Sequence, residues 1–268
     1  MSPQEEALVD AILASGITLP APDAQLLELM RIAADEDSGL DEVARAVSRT
    51  PATTGAVFRV SSSPVFGQVR PRKTVLEAVV LLGKIKVLAI ATSTTLRSKL
   101  GDVPARVVAA IWDVCFAVAQ ESWAVMHASR TPRLADDAFL AALMHDVGIA
   151  LILRRHPDFL ARFDVNAGNV DDAGLRVDGM IEVNHAAIGA HVARNWKLPA
   201  QVCEAIALHH TPPDPADGDG DDARILSAAI AVGRRRCGAI RPEEWACWEP
   251  FVRERMGIPE DALEPPPA

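Results

Sequence analysis

Residues 142–151 read "ALMHDVGIAL", which sets a histidine and an aspartate side by side in an apolar run. From Ala138 to Leu153 the segment is apolar on every side, the mark of a helix sheathed by other helices. Asp146 shares a stripe with Phe139, Leu143, Ile149 and Leu153, and His145 shares one with Ala138, Ala141, Ala142, Ile149 and Ile152. Both side chains are therefore expected inside. An unpartnered buried carboxylate costs roughly several kcal/mol, so the pair must be buried with a metal, a substrate or each other.

Two further segments repeat the anomaly. In "GMIEVNHAAIGAHVARNWKLP" (179–199), Ile181, His185, Ile188 and Val192 fall on one helical face, and Gly189 leaves room for another helix to come close. In "VCEAIALHHTPP" (202–213), Val202, Ala205 and Ile206 lead to His209, while Cys203, Ile206 and Ala207 lead to His210. A single histidine of this kind is usually a hydrogen-bonded core residue. Together, His145, Asp146, His185, His209 and His210 make a nitrogen and oxygen donor set suited to Fe, Mn, Zn or Mg. His127, His156 and His191 lack that setting and read as surface or packing residues.

Outward from these segments the chain reads as helix. Apolar spacing predicts helices over 23–34 and 40–48. "TVLEAVVLLG" opens on a Thr74–Glu77 capping box and is expected to stop at Gly83, with a further helix over 84–100. Others follow over 105–130, 135–155, 179–197, 200–210, 222–236 and 242–256. Alternating β-branched runs are missing, so the expected class is all-α.

With 268 residues, 49% of them hydrophobic, the chain can bury a sizeable core. Its net charge of -9, 4% aromatic content and lack of tyrosine argue against general nucleic-acid binding. The basic runs "RPRK" (70–73) and "GRRRC" (233–237) read as solvated helix ends or surface patches. Cys115, Cys203, Cys237 and Cys247 form no C-x-x-C pair, which suits reduced thiols rather than disulfides or a zinc knuckle. The acidic N-terminus is unlike a signal peptide, and the longest apolar runs fall short of the ~20 residues of a membrane span. A soluble, cytoplasmic protein with no membrane or nucleic-acid partner is expected. "LLGKIKV" lacks the glycine and Ser/Thr of a phosphate loop, and the acidic loop at 213–222 lacks the turn glycine and final Glu of a calcium loop.

"LMHDVG" (143–148) resembles the His-Asp signature of the HD superfamily of metal-dependent phosphohydrolases, and the wider arrangement is similar to its HDOD branch. The matching pieces, in order, are "ITLPAP" (17–22), "RTPATTGAVFRVSSSPVFG" (49–67), "TVLEAVVLLGKIKVLAIA" (74–91), "IWDVCFAVA" (111–119), "LMHDVG", "EVNHAAIGAHVARNWKLP" (182–199) and "IALHHTP" (206–212). The resemblance implies one HDOD domain over 1–256, with an N-terminal helical lobe to about 103 and an HD-like lobe from about 104. Beyond it lies a flexible Pro-rich tail over 257–268.

It also implies a bacterial signalling module, regulatory or scaffolding rather than catalytic, with receiver or cyclic-dinucleotide proteins as candidate partners. No catalytic residue is assigned. The upstream histidine ligand of active HD enzymes is matched here by Cys115, and "ILSAAIAVGRRR" (225–236) offers no final aspartate. Thr50 and Ser62 depart from the branch pattern, and no GYP extension follows the histidine pair. On this resemblance the five polar residues are a degenerate cluster, with a divalent metal as its one candidate cofactor. The alternative is a metal-dependent phosphohydrolase in which His145, Asp146 and His185 hold a metal while His209 and His210 orient phosphate.

Overall fold

The computed structural model describes residues 3–66, 72–162, 164–213 and 221–264. The end of the Pro-rich tail (265–268), most of the acidic loop (214–220) and the start of the 70–73 basic run lie outside the described residues. The described residues form helices and connecting turns, with no strand among them, as the all-α expectation requires. The chain divides into two compact units, Pro20–Lys99 and Met1–Leu19 with Leu100–Ala268.

Helix α1 (Pro3–Ala14) belongs to the larger unit. The smaller unit holds α2 (Ala24–Ala34), α3 (Leu40–Ser48), α4 (Pro51–Ser61) and α5 (Val75–Ser98), with α5 packed on the other three. In α3 the apolar spacing puts Val43, Ala44 and Val47 inside, and Asp41 and Glu42 sit in the first turn where the helix dipole favours them. The Thr74 cap of α5 forms, with the Glu77 amide donating to Thr74 Oγ1 at 3.1 Å, and the Glu77 carboxylate reaches back one residue past the cap to accept from the Lys73 amide at 2.7 Å. Gly83 takes φ 77°, a left-handed value that only glycine adopts freely. With ψ 168° as well, Gly83 is non-helical, so α5 is two helices meeting at a kink there, as the expected stop at Gly83 and further helix over 84–100 require.

The larger unit continues with α6 (Ala105–Ala128), α7 (Ala135–Met144), α8 (Val147–Arg155), α9 (Phe159–Arg162), α10 (Val170–Asp178), α11 (His185–Asn195), α12 (Ala200–Leu208), α13 (Asp222–Arg236) and α14 (Pro242–Phe251). Its core is α6 against α7 and α13, with α12 joining α7, α11 and α13. Among the described residues α6 alone is long and apolar enough to cross a membrane, and over half of its most apolar stretch is buried within the protein. Of the expected tail, residues 257–264 are described, and Ile258 and Leu263 are buried.

Two helical expectations change. The run 135–155 is two helices, α7 and α8, parted at His145–Asp146, where Asp146 has φ -102° and ψ 9°. Neighbouring side chains on one unbroken helix diverge by about 100°. The break instead brings both to one centre, with His145 Nε2 3.2 Å from Asp146 Oδ2. The run 179–197 becomes helical only at His185, because Asn184 caps it by accepting the Ala187 amide at 2.8 Å. Before that cap lies α10, which was not anticipated although its buried Val170, Ala173, Gly174 and Val177 fall at i, i+3, i+4 and i+7.

Candidate metal centre

The five expected residues meet inside the larger unit. His145, Asp146, His185 and His209 are each no more than 2% exposed, and His210 is half-buried beside them. One ligand atom from each of Asp146, His185, His209 and His210 lies within 4.8 Å of the others, and Asp146 shares a second such group with His145 and Cys115. His127 is exposed, His156 and His191 are half-buried, and none of the three joins these groups.

Every ring is oriented by what its Nδ1 meets. His145 Nδ1 donates to the Ala142 carbonyl at 2.7 Å, and His209 Nδ1 donates to the Ile206 carbonyl at 2.7 Å. His185 Nδ1 lies 2.6 Å from Asp178 Oδ2, and the His185 amide donates to Asp178 Oδ1, also at 2.6 Å. His210 Nδ1 lies 2.9 Å from Glu244 Oε1. Carbonyls and carboxylates accept, so each Nδ1 carries a proton and each ring turns its Nε2 inward, the atom that would bind a metal. Metal-ligating histidines are held in this way.

The inward atoms then need positive charge between them. His185 Nε2 and His209 Nε2 stand 3.3 Å apart, and two lone pairs at that distance repel unless a proton or a cation lies there. Asp146 Oδ1 lies 3.3 Å from His185 Nε2 and 3.5 Å from His209 Nε2, while Oδ2 faces His145. His210 Nε2 is buried and has no hydrogen-bond partner. Burial alone would depress the His185 ring, but Asp146 and Asp178 outweigh it and raise it to about 9. Burial and the neighbouring rings hold His209 well below the usual histidine range, and His145 is raised well above it because Asp146 and Cys115 outweigh its burial. Despite complete burial, the adjacent imidazoles keep Asp146 ionised, well below the usual carboxylate range. The donor set of histidine nitrogens and a carboxylate fits a divalent transition metal.

A second shell closes behind the cluster. Arg234 is fully buried, which corrects the reading of 233–237 as a solvated basic patch. It donates to Glu244 Oε1 at 2.7 Å, to Glu244 Oε2 at 3.1 Å, to Asp171 and to the His209 carbonyl at 3.4 Å. Asp171, His210 and Glu244 could themselves gather a cation, and the guanidinium supplies one. Burial pushes Glu244 up, but the hydrogen bonds from His210 and Arg234 prevail and bring it to about 2.

Asp178, Asp171, Arg234 and Glu244 were not anticipated. Asp178 and Asp171 belong to the unforeseen α10, and Glu244 reads in sequence as an ordinary first-turn acid of α14. Asp171 also lines a cavity of about 530 Å³, whose charged side chains are Asp113, Asp171, Asp172 and Arg241.

Comparison with known proteins accords with this geometry. The chain matches an uncharacterized protein of Treponema pallidum (strain Nichols) at 22% identity over 200 residues, 73% of this chain and 38% of that protein. It matches ribonuclease Y of Deinococcus radiodurans at 36% identity over 102 residues, 37% of this chain and 17% of that enzyme. It thus spans well under half the length of either relative. A crystal structure of a proposed metal-dependent phosphohydrolase from Shewanella amazonensis SB2B shares the fold, with a TM-score of 0.68 at 19% identity over 98% of this chain and 94% of that one. The family profile of the HDOD domain matches residues 19–212, most of the chain, and every histidine and aspartate of the central cluster lies within that span. The chain belongs to the HDOD family.

Proposed function

We propose that this HDOD chain is a bacterial signalling module that acts through protein–protein contacts and whose larger unit is fastened by one buried divalent ion. The observation that carries the reading is the convergence of Nε2 atoms on Asp146 at residues almost wholly removed from solvent. Asp146, His185, His209 and His210 would hold the ion, which would supply the positive charge their lone pairs and carboxylate require. His185 and His209 sit on α11 and α12 and Asp146 at the start of α8, so holding the ion fixes how three helices meet.

Two features favour a fastening ion over turnover. A catalytic metal keeps an open position for water or substrate, whereas His145, Asp146, His185 and His209 are closed in. The neighbouring cavity has the wrong sign for a phosphate ester, with three carboxylates against one guanidinium. The second reading, a phosphohydrolase, draws on the match to ribonuclease Y and the fold shared with the Shewanella protein. Receiver or cyclic-dinucleotide proteins remain the proposed partners, and pulldown from the native cell would identify them.

Metal analysis of protein purified without chelator tests the reading, alongside a phosphodiesterase and nucleotidase screen. About one ion per chain is expected, lost in His185→Ala and in His209→Ala, with a melting point that falls on chelation. No turnover is expected. Turnover that dies in His145→Ala would establish the phosphohydrolase instead, and metal-free protein of unchanged melting point would remove the ion altogether.

A further inference from the structure

The smaller unit carries a surface that the buried centre does not use. Among the described residues, four of the five exposed large apolar side chains lie on it: Leu27, Leu76, Val80 and Ile85, against Met180 on the larger unit. Leu76, 44% exposed, and Val80, 58% exposed, stand one turn apart on the same face of α5. Beside them α3 and the first turn of α5 enclose a groove of about 600 Å³, lined by Ala44, Val75 and Leu76 together with Asp41, Arg45 and Arg49. The Arg45 and Arg49 side chains are 67% and 61% exposed. Arg45 pairs with Asp41 and Glu42, and Arg49 with Glu28. Exposed pairs of this kind are worth about 1 kcal/mol or less, so an incoming carboxylate can share either guanidinium at little cost.

We propose that this groove docks an acidic amphipathic helix of a partner protein, whose apolar ridge covers Leu76 and Val80 and whose carboxylates meet Arg45 and Arg49. The proposal rests on the protein–protein role put forward above and names the surface and the partner's chemistry. Charge decides among the occupants. The smaller unit carries 11 Lys and Arg against 8 Asp and Glu, while the chain as a whole stands at -9. Two copies joined by this face would set net positive surfaces together. A head-to-tail copy would need an apolar ridge on the acidic larger unit, where Met180 is the one exposed large apolar side chain among the described residues. A nucleic acid would find no aromatic side chain in the groove on which to stack a base. An acidic helix meets the apolar lining and the two guanidiniums at once.

Fluorescence anisotropy on the full chain tests this with three labelled synthetic peptides. One is an amphipathic helix with a leucine ridge flanked by glutamates, the second has lysines for the glutamates, and the third has alanines for the leucines. The first is expected to bind and the other two are not. Val80→Glu and Arg45→Glu should each weaken binding by about tenfold, while Met180→Glu leaves it unchanged. All three side chains are exposed, so the variants should melt as wild type. No binding of the glutamate peptide at about 1 mM, or equal binding of its lysine twin, would overturn the proposal. Unchanged affinity in Val80→Glu would do the same. A concentration-dependent dimer that Val80→Glu abolishes would make the face a contact between copies instead. Tighter binding of a single-stranded oligonucleotide, lost in Arg45→Glu, would assign it to nucleic acid. A partner recovered by pulldown that still binds both variants would remove this surface and keep the protein–protein role. Metal content is read separately, so failure here leaves the buried ion standing.

Discussion

Arg234→Met is expected to cost about 3–5 kcal/mol of folding stability, seen as a lower urea midpoint and a melting point roughly 6–20 °C lower. The guanidinium is 0% exposed and contacts Glu244, Asp171 and the His209 carbonyl. Methionine matches much of its length but none of its charge. Two carboxylates would then lie together in the interior without their counter-ion, and burial already raises Asp171 above the usual carboxylate range. A buried pair is weak as a source of net stability but expensive to break from one side. The same logic predicts partial rescue: Arg234→Met with Glu244→Gln should recover part of the loss, because one of the two orphaned charges is gone. A loss under about 1 kcal/mol in the single variant would show that water reaches the site and screens it.

That arginine also marks the limit of what the sequence could disclose. Three arginines at a helix end look solvated by composition, and only the fold brings Asp171 from α10 and Glu244 from α14 to the first of them. The histidine cluster was legible for the opposite reason. Polar residues on apolar faces stand out against their neighbours, and His145, His185 and His209 are indeed buried. Helix α3 was found to the residue, Leu40–Ser48, since its apolar and charged positions separate cleanly. The break at His145–Asp146 was invisible because Leu143, Met144, Val147 and Ile149 keep the segment apolar straight through it, and all are buried. Asp178, which orients His185, ends a nine-residue helix whose buried Val170, Ala173, Gly174 and Val177 keep helical spacing, but the stripe is short and built partly of small residues, so it does not stand out in the sequence.

Gly148→Ala should be nearly as damaging and should strike the centre as well as the fold. A β-carbon added at 148 would fall 2.0 Å from the His185 carbonyl oxygen, 2.8 Å from its carbonyl carbon and 2.9 Å from its Cα. All three are backbone atoms at the start of α11, so no side chain can swing aside and the helices α8 and α11 must part. Overpacking of this kind costs about 1–3 kcal/mol, and a backbone clash belongs at the upper end. His185 rides on the displaced segment, and its Nε2 stands 3.3 Å from Asp146, so the shift opens the ligand set at its middle. The variant should therefore melt lower and also bind the ion more weakly than wild type. Gly55→Ala is the matched control. Gly55 lies exposed in the interior of α4 with nothing within 4 Å of its added β-carbon. There alanine should be neutral or stabilise by up to ~1 kcal/mol through helix propensity. The same chemical change thus has opposite signs at two helical glycines. Wild-type melting and full metal content in Gly148→Ala would show that the close approach of α8 to His185 is not what holds the centre together.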